Sequence, residues 1–212
     1  MSSPDGRLYL VTDPSFEDLE RVVVEGVEGG VTCVQVRDKA ATPDHVAATV
    51  SRLRSLLAGS GVLVLSNDVV VDGDGVHVGT SDSPPHVVRE QVGPGRVVGW
   101  SINSLHQLDD DRAVGACDYV AASPVFPTPT KTDTSTPFGL EGVRTLSRRL
   151  DGRVPFVGIG GLDADNVADV VRAGADGVAV VRAVGAATDP RAAARSLRAR
   201  VDDALTARGV LR

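Results

Sequence analysis

The stretch from Val154 to Arg182 constrains the fold more than any other part of the sequence. It contains two short apolar runs, residues 156–159 and 178–181, separated by a segment whose valines recur at helical spacing. Runs this short and this rich in β-branched residues predict buried strands. Because both runs are apolar on both faces, they are typical of a parallel sheet covered by helices. The stretch therefore predicts a strand, a helix and a second parallel strand.

Two features of this stretch are those of a phosphate site. Gly160 and Gly161 end the first strand and leave backbone N–H groups uncovered by side chains, and Val181-Arg182 ends the second strand. The last two units of a (β/α)8 barrel commonly hold a phosphate at such positions. The alternative is a pair of strand–helix units in an open sheet that binds no ligand.

The same alternation runs along the whole chain of 212 residues. The predicted strands are 8–11, 33–36, 62–65, 75–78, 97–100, 119–122, 156–159 and 178–181. The predicted helices are 16–28, 43–57, 85–91, 105–114, 140–150, 166–173 and 191–206. Only the segment after the third strand, 69–71, is too short for a helix. Regular alternation of this kind predicts an α/β fold, a (β/α)8 TIM barrel, as one domain over residues 1–212.

Charge and composition exclude several classes of protein. The net charge is −6, so no overall basic surface for nucleic acid is expected. Cys33 and Cys117 are too few for a disulfide framework or a zinc site, and Cys33 is expected to be a buried small side chain. No signal pattern is present, and no apolar run approaches the roughly 20 residues of a membrane span. We expect a cytoplasmic protein that acts on small molecules, with homo-oligomerisation left open.

Polar residues follow most of the predicted strands. The active sites of barrels gather at the C-terminal ends of the strands, so these residues are the candidates for function. They are Thr12-Asp13, Gln35 to Lys39, Ser66-Asn67-Asp68, Gly79 to Asp82, Ser101-Ile102-Asn103, and Ser123-Pro124 with the loop from Phe126 to Lys131.

A cationic clamp is predicted at the end of the second strand. Gln35, Arg37 and Lys39 alternate, so in an extended strand their side chains share one face. An amide and two cations aimed into a barrel mouth would bind a phosphate or diphosphate. The alternative is a strand end with solvated charges, in which Asp38 pairs with one of the cations.

A divalent cation site is predicted beside this clamp. Asn67-Asp68 and Asp82 bring oxygen ligands to the next two strand ends, and two carboxylates with water and phosphate oxygens are the usual ligands of Mg²⁺. The alternative is ordinary turn chemistry. His77 is expected to be packed and hydrogen-bonded near the mouth rather than to act as a base.

The loop that carries Thr128, Pro129, Thr130 and Lys131 is predicted to be a lid over an anionic substrate, or else a solvated connection. No spacing suggests a catalytic triad or a Cys–His pair. The candidate site thus lacks a nucleophile or base but is rich in groups that stabilise a departing diphosphate.

Taken together, the motifs resemble the thiamine phosphate synthase family. The matching segments cover most of the chain and are residues 34–39, Ser66-Asn67-Asp68, 75–79 with Asp82, Gly99-Trp100-Ser101, 126–131, 157–161 and 177–184. The resemblance implies that a pyrimidine methyl diphosphate is joined to a thiazole phosphate, which releases pyrophosphate and forms thiamine phosphate. It also implies a dissociative path, in which the diphosphate leaves before the thiazole nitrogen attacks.

The resemblance assigns roles to individual residues. The pyrimidine diphosphate would contact the segment from Gln35 through Val36, Arg37 and Asp38 to Lys39, together with Asn67, Ser101 and Lys131. Of these, Arg37, Lys39, Ser101 and Lys131 are the candidate catalytic residues. Asp68 and Asp82 would hold Mg²⁺. The thiazole phosphate would contact Thr128, Pro129, Thr130, Gly161, Val181 and Arg182.

The sequence departs from the family pattern at two points. Thr80-Ser81 replaces the Gln-Glu or Gln-Asp that many members carry before the second metal Asp, and Arg182 stands where a Ser often follows the last strand. Two other functions stay open. One is a thiazole tautomerase on the same barrel, which would need a general base. The other is a non-catalytic phosphate sensor, which would not need a metal pair.

Overall fold

The structure is a computed structural model that describes residues 4–128 and 136–211. Eight parallel strands are hydrogen-bonded in chain order, and the first pairs with the last, so the sheet closes into a barrel. The strands are β1 Leu8–Val11, β2 Cys33–Val36, β3 Leu63–Asn67, β4 Gly75–Val78, β5 Val97–Ile102, β6 Tyr119–Ala122, β7 Phe156–Ile159 and β8 Gly177–Val180. The predicted (β/α)8 fold is confirmed.

Helices follow seven of the eight strands, and within the described ranges the connection from β3 to β4 has none, as expected. They are α1 Leu19–Glu28, α2 Pro43–Leu56, α3 Pro85–Val92, α4 Asp111–Ala116, α5 Gly139–Leu150, α6 Val167–Arg172, α7 Arg182–Gly185 and α8 Pro190–Ala207, with a 3-10 helix over Leu105–Asp109 before α4. None of the helices within 4–128 and 136–211 is both long and apolar enough to cross a bilayer.

The prediction of one helix over 105–114 is wrong. The segment is split, because Ser104 caps the 3-10 helix and the Asp110 side chain accepts the Ala113 N–H to start a new helix. Strong capping residues at both points favour two short helices over one continuous helix.

Several other boundaries shift. The first helix begins at Leu19 instead of residue 16, because Asp18 caps it by accepting the Arg21 N–H. Strand β3 extends to Asn67, which pairs with His77 of β4. Strand β8 ends at Val180, and Val181 leads into the short helix α7, which the sequence pattern did not predict.

Apolar side chains are divided between two layers. The larger cluster lies between the sheet and the helices, and the smaller one fills the barrel interior. The interior layer contains Tyr9, Val11, Cys33, Leu65, Tyr119, Ala121, Val157 and Ala179. Cys33 is buried, as predicted. The two tyrosines bring hydroxyl groups into this layer, directly beneath the C-terminal ends of the strands.

At the N-terminal end of the barrel, one hydrogen-bonding device is repeated. The residue before each even-numbered strand accepts, through its side chain, an N–H from the preceding odd-numbered strand. The pairs are Leu8 with Thr32, Val64 with Asp74, Val98 with Asp118 and Phe156 with Asp176, at N···O distances of 3.3, 2.8, 2.7 and 3.0 Å. These bonds satisfy backbone donors where the strands begin.

Candidate functional site

A polar cleft opens at the C-terminal end of the barrel. Its walls come from residues that follow β1 to β8 in turn. Of the residues singled out in the sequence, the cleft brings together Gln35, Arg37, Lys39, Asn67, Asp68, Asp82, Ser101, Thr128 and Val181. Such a convergence of strand ends is the usual location of active sites in this fold.

A second cleft adjoins the first along the ends of β7 and β8. It is lined by Gly161 and Arg182 and shares Thr128 and Val181 with the polar cleft. Gly161 has a φ of +67°, and a Cβ there would lie 2.8 Å from the Phe126 Cβ and the Pro127 carbonyl oxygen. Glycine is therefore required for this close turn. Pro129, Thr130 and Lys131 lie outside the described residues.

Two predicted contact residues have side chains that point away from the cleft. Val36 is buried in the layer between the sheet and the helices. The Asp38 carboxylate accepts the N–H groups of Ala40 and Ala41 at 2.9 and 3.2 Å, which fixes a turn. Asp38 does not pair with Arg37 or Lys39, contrary to the alternative considered from the sequence. Any substrate contact made by Val36 or Asp38 would involve the backbone.

Arg37 and Lys39 form the cationic arm of the cleft, and a backbone hydrogen bond fixes its position. Arg37 donates its N–H to the Thr12 hydroxyl oxygen at 2.9 Å, which fixes the end of β2 against the end of β1. Within 4–128 and 136–211, neither Arg37 nor Lys39 forms an ion pair with a carboxylate. Hydrogen bonds from Ser15 lower the pKa of Asp13, and the charges of Arg37 and Arg182 add to this effect. The arm therefore presents cations that are free to bind an anion.

The acidic arm consists of Asp68 and Asp82. Asp68 has a φ of +63°, and its N–H donates to the His77 carbonyl at 2.9 Å. Asp82 is oriented by the Gly79 N–H, which it accepts at 2.6 Å. Burial, the hydrogen bond to Asp82 and the charge of Asp82 together raise the pKa of Asp68 to about 6, against the opposing charges of Lys39 and Arg37. The two carboxyl groups are thus close enough to repel each other when both are ionised.

This pair of oxygen ligands suits a hard divalent cation. Among the described residues, no group of three or more His, Cys, Asp or Glu side chains forms a metal cage. Magnesium commonly binds to one or two carboxylates and takes its remaining ligands from water and substrate phosphates. A cation between Asp68 and Asp82 would also relieve their repulsion.

A chain of hydrogen bonds runs beneath the cleft through the barrel interior. It links Ser101 to His77 at 2.8 Å, His77 to Tyr119 at 2.7 Å, Tyr119 to Tyr9 at 2.9 Å, Tyr9 to Gln35 at 3.0 Å, and Gln35 to Asn67 at 2.5 Å. The prediction that His77 is packed and hydrogen-bonded is confirmed.

The sequence reasoning missed Tyr9 and Tyr119. Tyr9 is two residues before Val11 on the same strand, so alternation could have placed it on the inner face of the barrel. Thr12 and Ser123 also line the cleft, and their positions just after strands were the available signal. Both are among the polar strand-end residues named from the sequence, but neither was given a role, because a hydroxyl alone does not distinguish a ligand contact from a turn.

Comparisons with known proteins agree with this geometry. The profile of a family described as thiamine monophosphate synthase matches residues 8–184. A thiamine-phosphate synthase of Albidiferax ferrireducens is 42% identical over 204 residues, which covers 92% of each chain. One from Chloroflexus aurantiacus is 42% identical over 205 residues, or 93% of each chain.

Solved structures give the same answer. A thiamine phosphate pyrophosphorylase from Pyrococcus furiosus superposes with a TM-score of 0.86 at 33% identity and covers 96% of this chain and 98% of its own. A 3-hexulose-6-phosphate synthase, at 19% identity and a TM-score of 0.68, shares the fold alone. The fold is a closed barrel with a polar cleft at one end, and the family profile matches most of the length of the chain. This chain therefore belongs to the thiamine monophosphate synthase family.

Proposed function

We propose that this transferase joins an aminopyrimidine methyl diphosphate to a methylthiazole phosphate, or its carboxylated form, and releases pyrophosphate with the help of Mg²⁺. The observation that carries the proposal is the convergence of Arg37 and Lys39 with Asp68 and Asp82 in one cleft. A diphosphate needs cations on its free oxygens and a divalent ion across its phosphates, and this cleft has groups for both.

The cationic arm binds the diphosphate. Arg37 can form a bidentate contact with phosphate oxygens, and Lys39 supplies a point charge. The Asn67 amide adds an N–H donor, because its oxygen already accepts from Gln35. Lys131, which lies outside the described residues, would add a further cation.

The acidic arm would hold the magnesium ion, with Asp68 and Asp82 as two of its oxygen ligands. An ion held there would supply positive charge to offset the negative charge that develops on the departing diphosphate. Thr80 and Ser81 line the cleft beside Asp82 and offer hydroxyl groups in place of the carboxylate or amide that many family members have.

The reaction proceeds without a strong base. The C–O bond breaks, the diphosphate takes the electron pair, and a pyrimidine-stabilised cation remains. The lone pair of the thiazole nitrogen then forms the new C–N bond. With the carboxylated thiazole, the carboxylate then leaves as CO2, and the ring carbon that keeps the electron pair takes a proton from water. The chain's contribution is electrostatic, since His77 is buried and bonded at both ring nitrogens to Tyr119 and Ser101.

The second cleft receives the thiazole phosphate. Gly161, Val181 and Arg182 line a space next to the polar cleft. Thr128 belongs to both clefts, and Pro129 and Thr130 continue the same loop. A shared wall would bring the thiazole nitrogen close to the carbon that loses the diphosphate.

The cytoplasmic location and any homo-oligomer stay predictions.

Pyrophosphate release tests the proposal directly. The protein is mixed with both substrates, with and without Mg²⁺, and release is expected only with all three present. The Arg37→Ala variant is expected to lose about 10- to 100-fold in kcat/KM, as befits a lost charge-assisted contact. Arg200→Ala, on the exposed face of α8, is the matched control and should be unchanged. Release that ignores the thiazole phosphate, or an Arg37→Ala variant with full activity, would contradict the proposal.

A further inference from the structure

The buried chain from Ser101 to Asn67 has a direction that can be worked out from its hydrogen atoms. A side-chain amide oxygen only accepts, an amide nitrogen only donates, and a hydroxyl has one hydrogen to give. Five of the six members, Gln35, His77, Ser101, Tyr9 and Tyr119, are almost fully buried, so each of their polar atoms is expected to be paired.

The direction is set at the Gln35 end. The Gln35 Nε2 donates to the Asn67 Oδ1, so the Gln35 Oε1 is the atom that accepts from the Tyr9 hydroxyl. Burial raises the pKa of both Tyr9 and Tyr119 well above the usual value, so each keeps its single hydrogen. With the hydrogen of Tyr9 given to Gln35, the bond between the tyrosines must be donated by Tyr119.

The donors and acceptors of the remaining two bonds, as far as Ser101, follow from the same hydrogen count. Since Tyr119 gives its hydrogen to Tyr9, its oxygen must accept from the Nδ1–H of His77. A neutral imidazole with hydrogen on Nδ1 has an accepting Nε2. The Ser101 hydroxyl therefore donates to His77 Nε2. All five bonds point from Ser101 towards Asn67.

We propose that this one-directional chain fixes His77 as the neutral Nδ1–H tautomer and that Tyr9 and Tyr119 act as positioning residues for the two chain ends that face the cleft. At one end, Ser101 offers lone pairs. At the other end, Asn67 offers its amide N–H groups. Both end residues line the polar cleft, so the internal order decides where the cleft donates and where it accepts.

The arrangement couples the two ends. If the Ser101 hydroxyl is to donate to a ligand, every bond in the chain must reverse, and both amides must turn over. Loss of one tyrosine hydroxyl removes this constraint, because Gln35 and His77 then orient independently. A purely structural tyrosine would leave the His77 tautomer unchanged.

The tautomer is measured in the ligand-free protein by long-range ¹H–¹⁵N NMR. The protein has only four histidines, so His77 is identified with variants of the other three. The expected spectrum has a protonated Nδ1 and an unprotonated Nε2. An Nε2–H tautomer, or a doubly protonated ring at pH 7.5, would overturn the proposal. This measurement does not depend on any activity.

The Tyr9→Phe variant tests the coupling. We expect both His77 tautomers to become populated. The kinetic part rests on the proposed function: KM for the aminopyrimidine diphosphate should rise about five- to tenfold, the scale of one buried hydrogen bond, with kcat changed less than about twofold. A higher KM with a nearly unchanged kcat is expected when the ground state and the transition state lose the same binding energy. This applies here because Ser101 and Asn67 would contact the substrate in both states.

Val157→Ala is the matched control. Val157 lies in the same interior layer, and its replacement removes buried apolar atoms without removing any member of the chain. It should keep the Nδ1–H tautomer and the original KM. A Tyr9→Phe variant that also keeps both would overturn the proposal. An inactive wild-type protein with the expected tautomer would instead overturn only the proposed function.

Discussion

The two ends of the barrel treat charge in opposite ways. At the N-terminal end, Asp118 accepts the Val98 N–H and pairs with Arg89, which also donates to three carbonyl oxygens. At the C-terminal end, Asp68 and Asp82 face each other. Within the described ranges, Arg37 there has no carboxylate partner within 4 Å.

The difference separates stability from function. Charges that are satisfied inside the protein lower the free energy of the folded state and have nothing left to give a ligand. Charges left unsatisfied in a cleft cost stability, which a bound ligand returns when it supplies the missing partners. The N-terminal end should therefore respond to mutation through stability, and the C-terminal end through activity.

The largest expected effect is that of Asp68→Asn on activity. Asparagine keeps the size of the side chain and tolerates the positive φ, but it removes one charge from the proposed magnesium site. We expect kcat/KM for pyrophosphate release to fall at least about 100-fold, since a metal ligand is worth several kcal/mol. The melting temperature should stay the same or rise, because the repulsion from Asp82 is gone. A variant that loses stability and keeps activity would reverse the comparison.

A smaller effect is expected from Asp118→Ala at the other end. The change removes the acceptor of the Val98 N–H and the partner of Arg89 together. The free energy of unfolding, measured by urea denaturation, should fall by about 2–3 kcal/mol. At 25 °C, kcat/KM should stay within about twofold of the original. Asp203→Ala, on the exposed face of α8, is the control and should change neither quantity.

The smallest effect is a pH dependence that originates in Asp68. The pKa of this carboxyl is raised to about 6 in the folded protein, so between about pH 4 and pH 6 the folded state holds a proton that the unfolded chain has lost. The stability that comes from this proton is complete below pH 4 and is lost as pH rises through 6.

Thermal melts without divalent ions measure this effect as the difference between the original protein and Asp68→Asn. The difference should be larger at pH 7.5 than at pH 5. Magnesium requires the ionised pair, so the concentration of Mg²⁺ that half-saturates activity should rise as pH falls below 6. A difference between the two proteins that does not vary with pH would show that the pKa of Asp68 is not raised in the folded protein.

The strands could be predicted because each is a short apolar run bounded by turn residues. The same reasoning found Gln35, Arg37 and Lys39 on one face, since alternation is a local property. It should also have excluded the Val36 side chain, which alternation directs to the other face of the sheet. The prediction of one helix over 105–114 was wrong because two capping residues divide the segment. Apolar spacing alone does not reveal such a division.

The buried chain under the cleft could not be predicted in the same way. Tyr9 and Tyr119 are separated by 110 positions and meet only because the closed sheet brings β1 and β6 face to face across the barrel interior. Contacts of this kind depend on strand tilt and side-chain packing, and neither is visible in a local pattern. The raised pKa of Asp68 has the same origin, since burial and Asp82 produce it together.

The pairing of β1 with β8 has a consequence for how a nascent chain acquires its catalytic centre. Thr12 follows the first strand of the barrel to be synthesised and Val181 follows the last, yet both line one cleft. Until Gly177–Val180 has been synthesised, Leu8–Val11 has an unsatisfied edge, and the cleft lacks a wall. No partially synthesised chain can contain the complete site, so the ability to bind substrate should arise in a single late event, when β8 pairs with β1.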